Sequence, residues 1–174
     1  KRKAVTFLTA YKNPSTGATV QLSADNPDPA YAVSFWKLAD LTSTVGGAGG
    51  TSFPLLRYSD ILLIYAEALN EANNGTTAEA LRAINKVRAR AGLEDLSAMG
   101  RQAFKDTVLT ERRRELCFEG DRWFDLTRTG SLIKAVQQEN SFSRNAAIKE
   151  FNNLFPIPQR EMDINPALVQ NKGY

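Results

Sequence analysis

A mainly α fold with an irregular first third is predicted by three features of the sequence. Apolar residues recur at three-and-four spacing from residue 54 to about 136. Capping and Gly stop signals fall where those runs begin and end. The first 53 residues, by contrast, are broken by Pro, Gly and Asn. Within that frame we read one domain over 1–174, made of a loop-rich part (1–53), a helical part (54–136) and a Pro-punctuated tail (137–174).

Ala4 to Leu8 and Thr19 to Leu22 read as short strands joined by the turn-rich KNPSTG, which allows at most a small β-hairpin. Asn26 to Pro29 is a further loop signal. Tyr31 to Leu38 brings aromatics, and VGGAGGTS (Val45 to Ser52) is a connector whose glycines resist regular structure. In PLLRYSDILLIYAEALNEANNG the residues Tyr58, Ile61, Tyr65, Ala68, Leu69 and Ala72 form the apolar stripe of a helix that stops at Asn74-Gly75. Thr76-Thr77-Ala78-Glu79 offers a capping box for a second helix, whose face is Ala80, Ile84, Val87 and Ala91 and whose stop is Gly92. The short loop makes the two helices antiparallel. Their small and apolar residues give a tetratricopeptide-like pair, present in one copy, and one such pair needs neighbours to stack on.

A third helix is expected from about Met99 to Glu119, closed by Gly120. A short one follows at Arg122 to Arg128, with another turn or two at Leu132 to Val136 and a short helix after Pro158. Viewed down the third helix, Phe104, Val108, Leu116 and Phe118 mark a core face, and Glu111, Arg112, Glu115 and Glu119 fall inside the same arc. Arg113 and Asp106 point outward. Arg57 and Arg88 face inward from the first two helices. Unpaired buried charges cost several kcal/mol each, so these groups are expected to meet as guanidinium–carboxylate pairs, with Arg122 and Arg128 as further partners. Two other readings stand beside this structural network: side chains that snorkel outward from the edge of the arc, and a catalytic cluster.

Catalysis finds little support in composition. The chain has 174 residues, 43% hydrophobic and 24% charged, with a net charge of +3, one cysteine and no histidine. The lack of histidine removes His-dependent triads, Cys–His dyads and the usual zinc centres, so neither a cofactor nor a metal is expected. Glu115 and Glu119 lie on one helix stripe and cannot flank a glycosidic bond from two sides. Cys117 reads as a small, partly buried hydrophobe. The charges are interspersed, and although a basic KRK stands at the start, no basic helix face with interleaved aromatics follows it, which argues against nucleic acid as a partner. No run reaches the roughly 18 apolar residues of a membrane-spanning helix.

RYSDILLIYAEALNE, ALRAINKVRARAGL, ERRRELCFEGDRWFDLTRTG and LFPIPQREMDINPALVQNKGY, in that order, resemble the C-terminal half of the SusD/RagB family, from about Pro54 to Tyr174. The resemblance implies a SusD-like C-terminal region belonging to a longer parent chain. It also implies a non-enzymatic, surface-exposed lipoprotein of the Bacteroidota outer membrane, anchored through a lipidated cysteine upstream of these residues. Its expected partners are an oligosaccharide or polysaccharide, a SusC-like TonB-dependent barrel that receives the glycan, and the N-terminal remainder of its own parent. The alternative is a tetratricopeptide-type adaptor for protein segments. Glycan platforms present aromatic faces to sugar rings, and Trp36, Tyr31 and Tyr11 of the irregular region are the candidates here, each weighed against ordinary packing. Trp123 is read as core.

Overall fold

The computed structural model describes residues 1–13, 15–25, 28, 32–40, 50–139 and 148–174. Tyr31, most of the Val45-to-Ser52 connector and most of the Asn26-to-Pro29 loop lie outside the described residues. The chain forms two compact units, Lys1–Asp121 and Arg122–Tyr174.

The first unit opens with α1 (Arg2–Thr6), which runs into β1 (Phe7–Leu8). The expected strand over Ala4 to Leu8 is thus mostly a helix. Its Arg, Lys and Ala are good helix formers, and only Phe7 and Leu8 pair, antiparallel to β4 (Ser34–Phe35). β2 (Ala10–Lys12) and β3 (Thr19–Gln21) form the hairpin around KNPSTG, with Tyr11 opposite Val20. Asn13 closes the turn: its side-chain oxygen accepts from the Ser15 and Thr16 amides, and Gly17 adopts φ 68°.

Helices α2 (Tyr58–Ala72) and α3 (Ala78–Arg90) pack on each other, and α4 (Arg101–Glu115) packs on α2. Their shared core is Leu63, Ala66, Ala80, Ala83, Ile84, Val87, Phe104 and Val108. Alanines at three of these positions let the α2 and α3 backbones approach closely, while Phe104 supplies bulk from α4. The α3 face is the one its sequence predicts. The α2 face is not: Tyr58, Ile61 and Tyr65 are exposed, and the buried stripe is Ser59, Asp60, Leu63, Ala66 and Asn70. Polar anchors set that rotation. Asp60 pairs with Arg112 of α4 at 2.6 Å, and Asn70 donates to the Arg101 carbonyl at 3.0 Å.

The start of α3 also lies one residue later than expected. Thr77, not Thr76, is the N-cap and accepts from the Ala80 amide at 3.1 Å. Thr76 instead donates to the Met99 carbonyl, and Glu79 accepts from the Tyr65 hydroxyl, so no capping box forms. Gly92, at φ 73°, ends α3 in a Schellman motif: its own amide donates to Ala89 and that of Leu93 to Arg88. Asn85 then holds the following segment through two bonds with the Leu96 backbone, 2.8 and 3.1 Å long.

α4 stops at Glu115 and does not continue to Glu119. Leu116 is its C-cap, Phe118 takes φ 64° and Gly120 φ 91°. A left-handed phenylalanine costs about 1–2 kcal/mol. The Phe118 ring gains contacts with Phe7 (5.7 Å, edge-on) and Phe35 (5.2 Å) in return. Phe118 is therefore half-exposed against the small β1–β4 pairing and does not face the helical core.

The second unit holds most of α5 (Asp121–Arg128), then α6 (Leu132–Glu139), a 3₁₀ turn (Glu150–Asn153) and α7 (Gln159–Ile164). Leu132 and Asp125 are buried, and the Trp123 ring stacks on Phe155 at 5.4 Å. The C-terminal residues fold back on this unit. Gln170 brackets Ile157, accepting from its amide (2.8 Å) and donating to its carbonyl (3.0 Å). Asn171 donates to Phe155 O, and the Tyr174 hydroxyl donates to Leu154 O at 2.9 Å. Gly173, at φ 106°, lies so close to the Phe151 ring that a β-carbon would come within 2.5 Å of it.

Candidate functional site

The charged stretch of α4 and the turn after it sits at the centre of the first unit. Glu111, Arg112, Glu115 and Glu119 are all buried, whereas Arg113 is exposed. Each inward group meets a charge of the opposite sign. Arg57, extended at the N-cap of α2, grips Glu119 with two nitrogens (Nε at 2.6 Å, Nη2 at 2.9 Å) and reaches Glu115 with Nη1 at 2.7 Å. Its Nη2 also donates to the Glu115 carbonyl at 2.7 Å, which satisfies a backbone acceptor left open where α4 ends. Arg88, in the last turn of α3, donates to Glu111 at 3.0 Å and to the Glu94 carbonyl at 2.9 Å. Arg112 takes Asp60 at 2.6 Å and lies 3.9 Å from Asp121.

Further members come from places that helical periodicity does not point to. Arg2 of α1 donates through Nε to Glu115 at 2.8 Å and pairs with Glu111. Lys37 pairs with Glu119 and donates to the Glu115 carbonyl at 2.7 Å, and Arg90 pairs with Glu115. Arg2 sits in a KRK run that reads as surface charge, and Lys37 lies beyond any helical periodicity. Asp60 carried a usable signal, since it shares a helix stripe with Leu63 and Asn70. Of the remaining candidates, Arg128 donates to the buried Asp125 of its own helix at 2.8 Å, and Arg122 is half-buried on α5.

Electrostatics follow from this packing. Burial alone would raise the Glu115 carboxyl, but the hydrogen bond and charge of Arg57, with Arg2 and Arg90 beside it, hold it down at about 2. Glu119 is lowered in the same way, burial being outweighed by Arg57 and Lys37. Burial would lower Arg57, yet the two glutamates raise it. These carboxylates are therefore ionised and fully engaged. A general acid needs a raised carboxyl pKa, and the shift here runs the other way.

The aromatic candidates lie in the irregular region. Tyr11 is exposed on β2, at the hairpin. Trp36 is half-buried just after β4, its amide donating to the Thr6 carbonyl at 2.7 Å. Tyr31 falls outside the described residues. Cavities open on the first unit among the described residues. One, of about 480 Å³, is bordered by α1 and the end of α4; another, of about 370 Å³, lies between Tyr58, Leu62 and Lys86. In the second, the Lys86 ammonium sits 5.0 Å from the centre of the Tyr58 ring.

The chain resembles known proteins along nearly its whole length. SusD-like protein P25 of Formosa agariphila is 35% identical over 130 residues, which is 69% of this chain but 24% of that protein. A SusD homologue of known structure from Bacteroides thetaiotaomicron superposes with a TM-score of 0.77 at 29% identity, covering 99% of this chain and 40% of its own. A laminarin-binding SusD-like protein superposes at 0.69 with 28% identity, again covering 99% of this chain and 35% of its own. The chain thus spans about a quarter to two fifths of the length of these proteins. The SusD family model matches residues 3–174, taking in the irregular first third as well as the helices, and the chain belongs to the SusD/RagB family.

Proposed function

We propose that this chain is the C-terminal part of a cell-surface glycan-binding protein that delivers oligosaccharides to a SusC-like TonB-dependent barrel for uptake. The observation that carries the reading is the likeness, over 99% of this chain, to a SusD-like protein that binds laminarin. Its position on the outer membrane, through a lipidated cysteine upstream of these residues, belongs to the same proposal. The reading is of a binding protein and not an enzyme: the glutamates of the motif are committed to arginines and lysines, which suits them to hold the fold together. Sugar contacts are assigned to the irregular region, with Tyr11 and Trp36 as the residues to test and Tyr31 beside them in sequence.

Titration of the parent protein with a polysaccharide panel that includes laminarin is the direct experiment, repeated with Tyr11→Ala and Trp36→Ala. Binding to at least one polysaccharide, together with co-purification of an outer-membrane barrel, is the expected result. A parent that binds no polysaccharide and fractionates with cytosolic proteins would overturn the reading and favour the tetratricopeptide-type adaptor. Unchanged affinity in both variants would remove Tyr11 and Trp36 from the site.

A further inference from the structure

Helix α2 buries one face and leaves a more apolar one in water. The buried face is Ser59, Asp60, Leu63, Ala66 and Asn70, packed on α3 and α4. The opposite face is Tyr58, Ile61, Ile64, Tyr65, Ala68 and Ala72, and all six are exposed, Tyr58 at 62% and Ile64 at 46%. At about 100° per residue they share one arc of roughly 120°, and from first to last they run about 21 Å along the helix. None of the six carries a charge. A helix apolar over this much of its circumference belongs in an interior, and such a patch marks a surface for contact with another element.

The two tyrosines are already arranged for burial. The Tyr65 hydroxyl donates to Glu79 at 2.7 Å, and the Tyr58 hydroxyl accepts from Lys86 at 3.0 Å. Both polar tips are thus turned toward α3 and satisfied by it, so a partner can lie on the rings without stranding a hydroxyl. At the other border Glu71 is held by Arg101 and Lys105 of α4. A sugar would ask for donors and acceptors that this face does not offer, whereas an apolar helix asks for none. Ala68 and Ala72, at the far end, let a second backbone come close.

We propose that this face receives a helix from the N-terminal remainder of the parent chain, which stacks on the pair formed by α2 and α3. The proposal rests on the reading of this chain as part of a longer protein, and it assigns the surface where the other part docks. The chain spans 24% of SusD-like protein P25 and 40% of the SusD homologue of known structure, so a parent of that size has ample sequence to supply the helix. A helix on the same chain meets the face at a high effective concentration, which favours it over a second copy. Its own contact side is apolar at three-and-four spacing for about four turns, the length of α2. In the chain on its own the face stays in water and a change such as Ile61→Ala costs little; in the parent the same position is interior.

The test uses the purified, monomeric parent protein. Ile61→Cys and Ile64→Cys are labelled with a maleimide in the native state beside Lys134→Cys as the exposed control, and each rate is divided by that of the same variant unfolded in guanidinium. Labelling at positions 61 and 64 should be about tenfold or more slower than at 134, since a covered side chain reacts only when its element opens. Hydroxyl-radical oxidation of the unsubstituted parent repeats the measurement without a mutation: Tyr58 and Tyr65 should be shielded to the level of the buried Phe104. Photo-crosslinking from p-benzoylphenylalanine in place of Tyr58 names the occupant, expected to be a helical peptide of the same molecule's N-terminal remainder. Labelling at 61 and 64 as fast as at 134, with both tyrosines freely oxidised, would overturn the proposal. A crosslink to a second copy or to another protein would do the same. Shielding that appears only when a polysaccharide is added would overturn it and leave the glycan-binding reading intact. Shielding with an internal crosslink, in a parent that binds no polysaccharide, would uphold the docking and sink the glycan-binding reading alone.

Discussion

Glu115→Gln is the sharpest probe of the charged centre, because it removes a charge while keeping nearly the same volume. Glu115 is 4% exposed and receives Arg57, Arg2 and Arg90 on its two oxygens. Its carboxyl is held at about 2, against roughly 4.3 for a free glutamate, a gap of roughly two units that corresponds to about 3 kcal/mol in favour of the ionised form. Removing one partner of a buried ion pair typically costs about 3–5 kcal/mol, which agrees. In a domain of this size the midpoint should fall by about 6–12 °C. The sign of the pH dependence is fixed by the direction of the shift. The folded value is depressed, so the stabilisation is complete above the unfolded value and is lost as pH falls toward the folded one. Urea unfolding followed by circular dichroism at several pH values should therefore show parent and variant far apart at pH 7 and converging between about pH 5 and pH 2. A gap below about 0.5 kcal/mol at pH 7, or one that stays constant down to pH 2, would refute the buried network. Lys134→Ala, on the exposed face of α6, serves as the surface control.

Gly173→Ala should loosen the C-terminal strap by about 1–3 kcal/mol, because the new methyl would strike the Phe151 ring from a left-handed backbone; faster proteolysis of the tail is the readout. Thr77→Ala removes the α3 N-cap and should cost about 1 kcal/mol in thermal unfolding, whereas Thr76→Ala tests only its bond to the Met99 carbonyl. Leu63→Ala, at the centre of the α2–α3–α4 core, should cost about 2–5 kcal/mol, while Ile61→Ala, half-exposed two residues earlier, should cost well under half of that. Equal losses at positions 61 and 63 would mean that α2 is rotated from the orientation described here.

The existence and order of the main helices follow from local signals: apolar periodicity, Gly92 and Gly130 as stops, and Pro158 before α7. The α3 face was legible because its apolar residues are nearly all alanine, isoleucine and valine on one side, with charge on the other. On α2 the periodicity is ambiguous, since apolar residues occupy most of the circumference, and the larger ones mark the wrong side. Burying Asp60 and Asn70 in preference to Tyr58, Ile61 and Tyr65 makes sense only once Arg112 and the Arg101 carbonyl are in place to receive them. Those partners lie about 30 to 50 residues away, a separation that no helical wheel samples. The same reasoning explains the charged centre. Placing Glu111, Glu115 and Glu119 on the inner arc required only helix geometry, even though α4 ends before Glu119, because the Leu116-to-Gly120 turn keeps that carboxyl on the same side. Choosing their partners required tertiary structure, which brought in Arg2 and Lys37 from the irregular first third. Arg2 and Lys37 therefore join the irregular part to the helical half through ion pairs, beside the ring contacts of Phe7 and Phe35 with Phe118. Loss of Arg2 or Lys37 should consequently be felt at Glu115 and Glu119, far along the chain, before it is felt in the β-hairpin nearby.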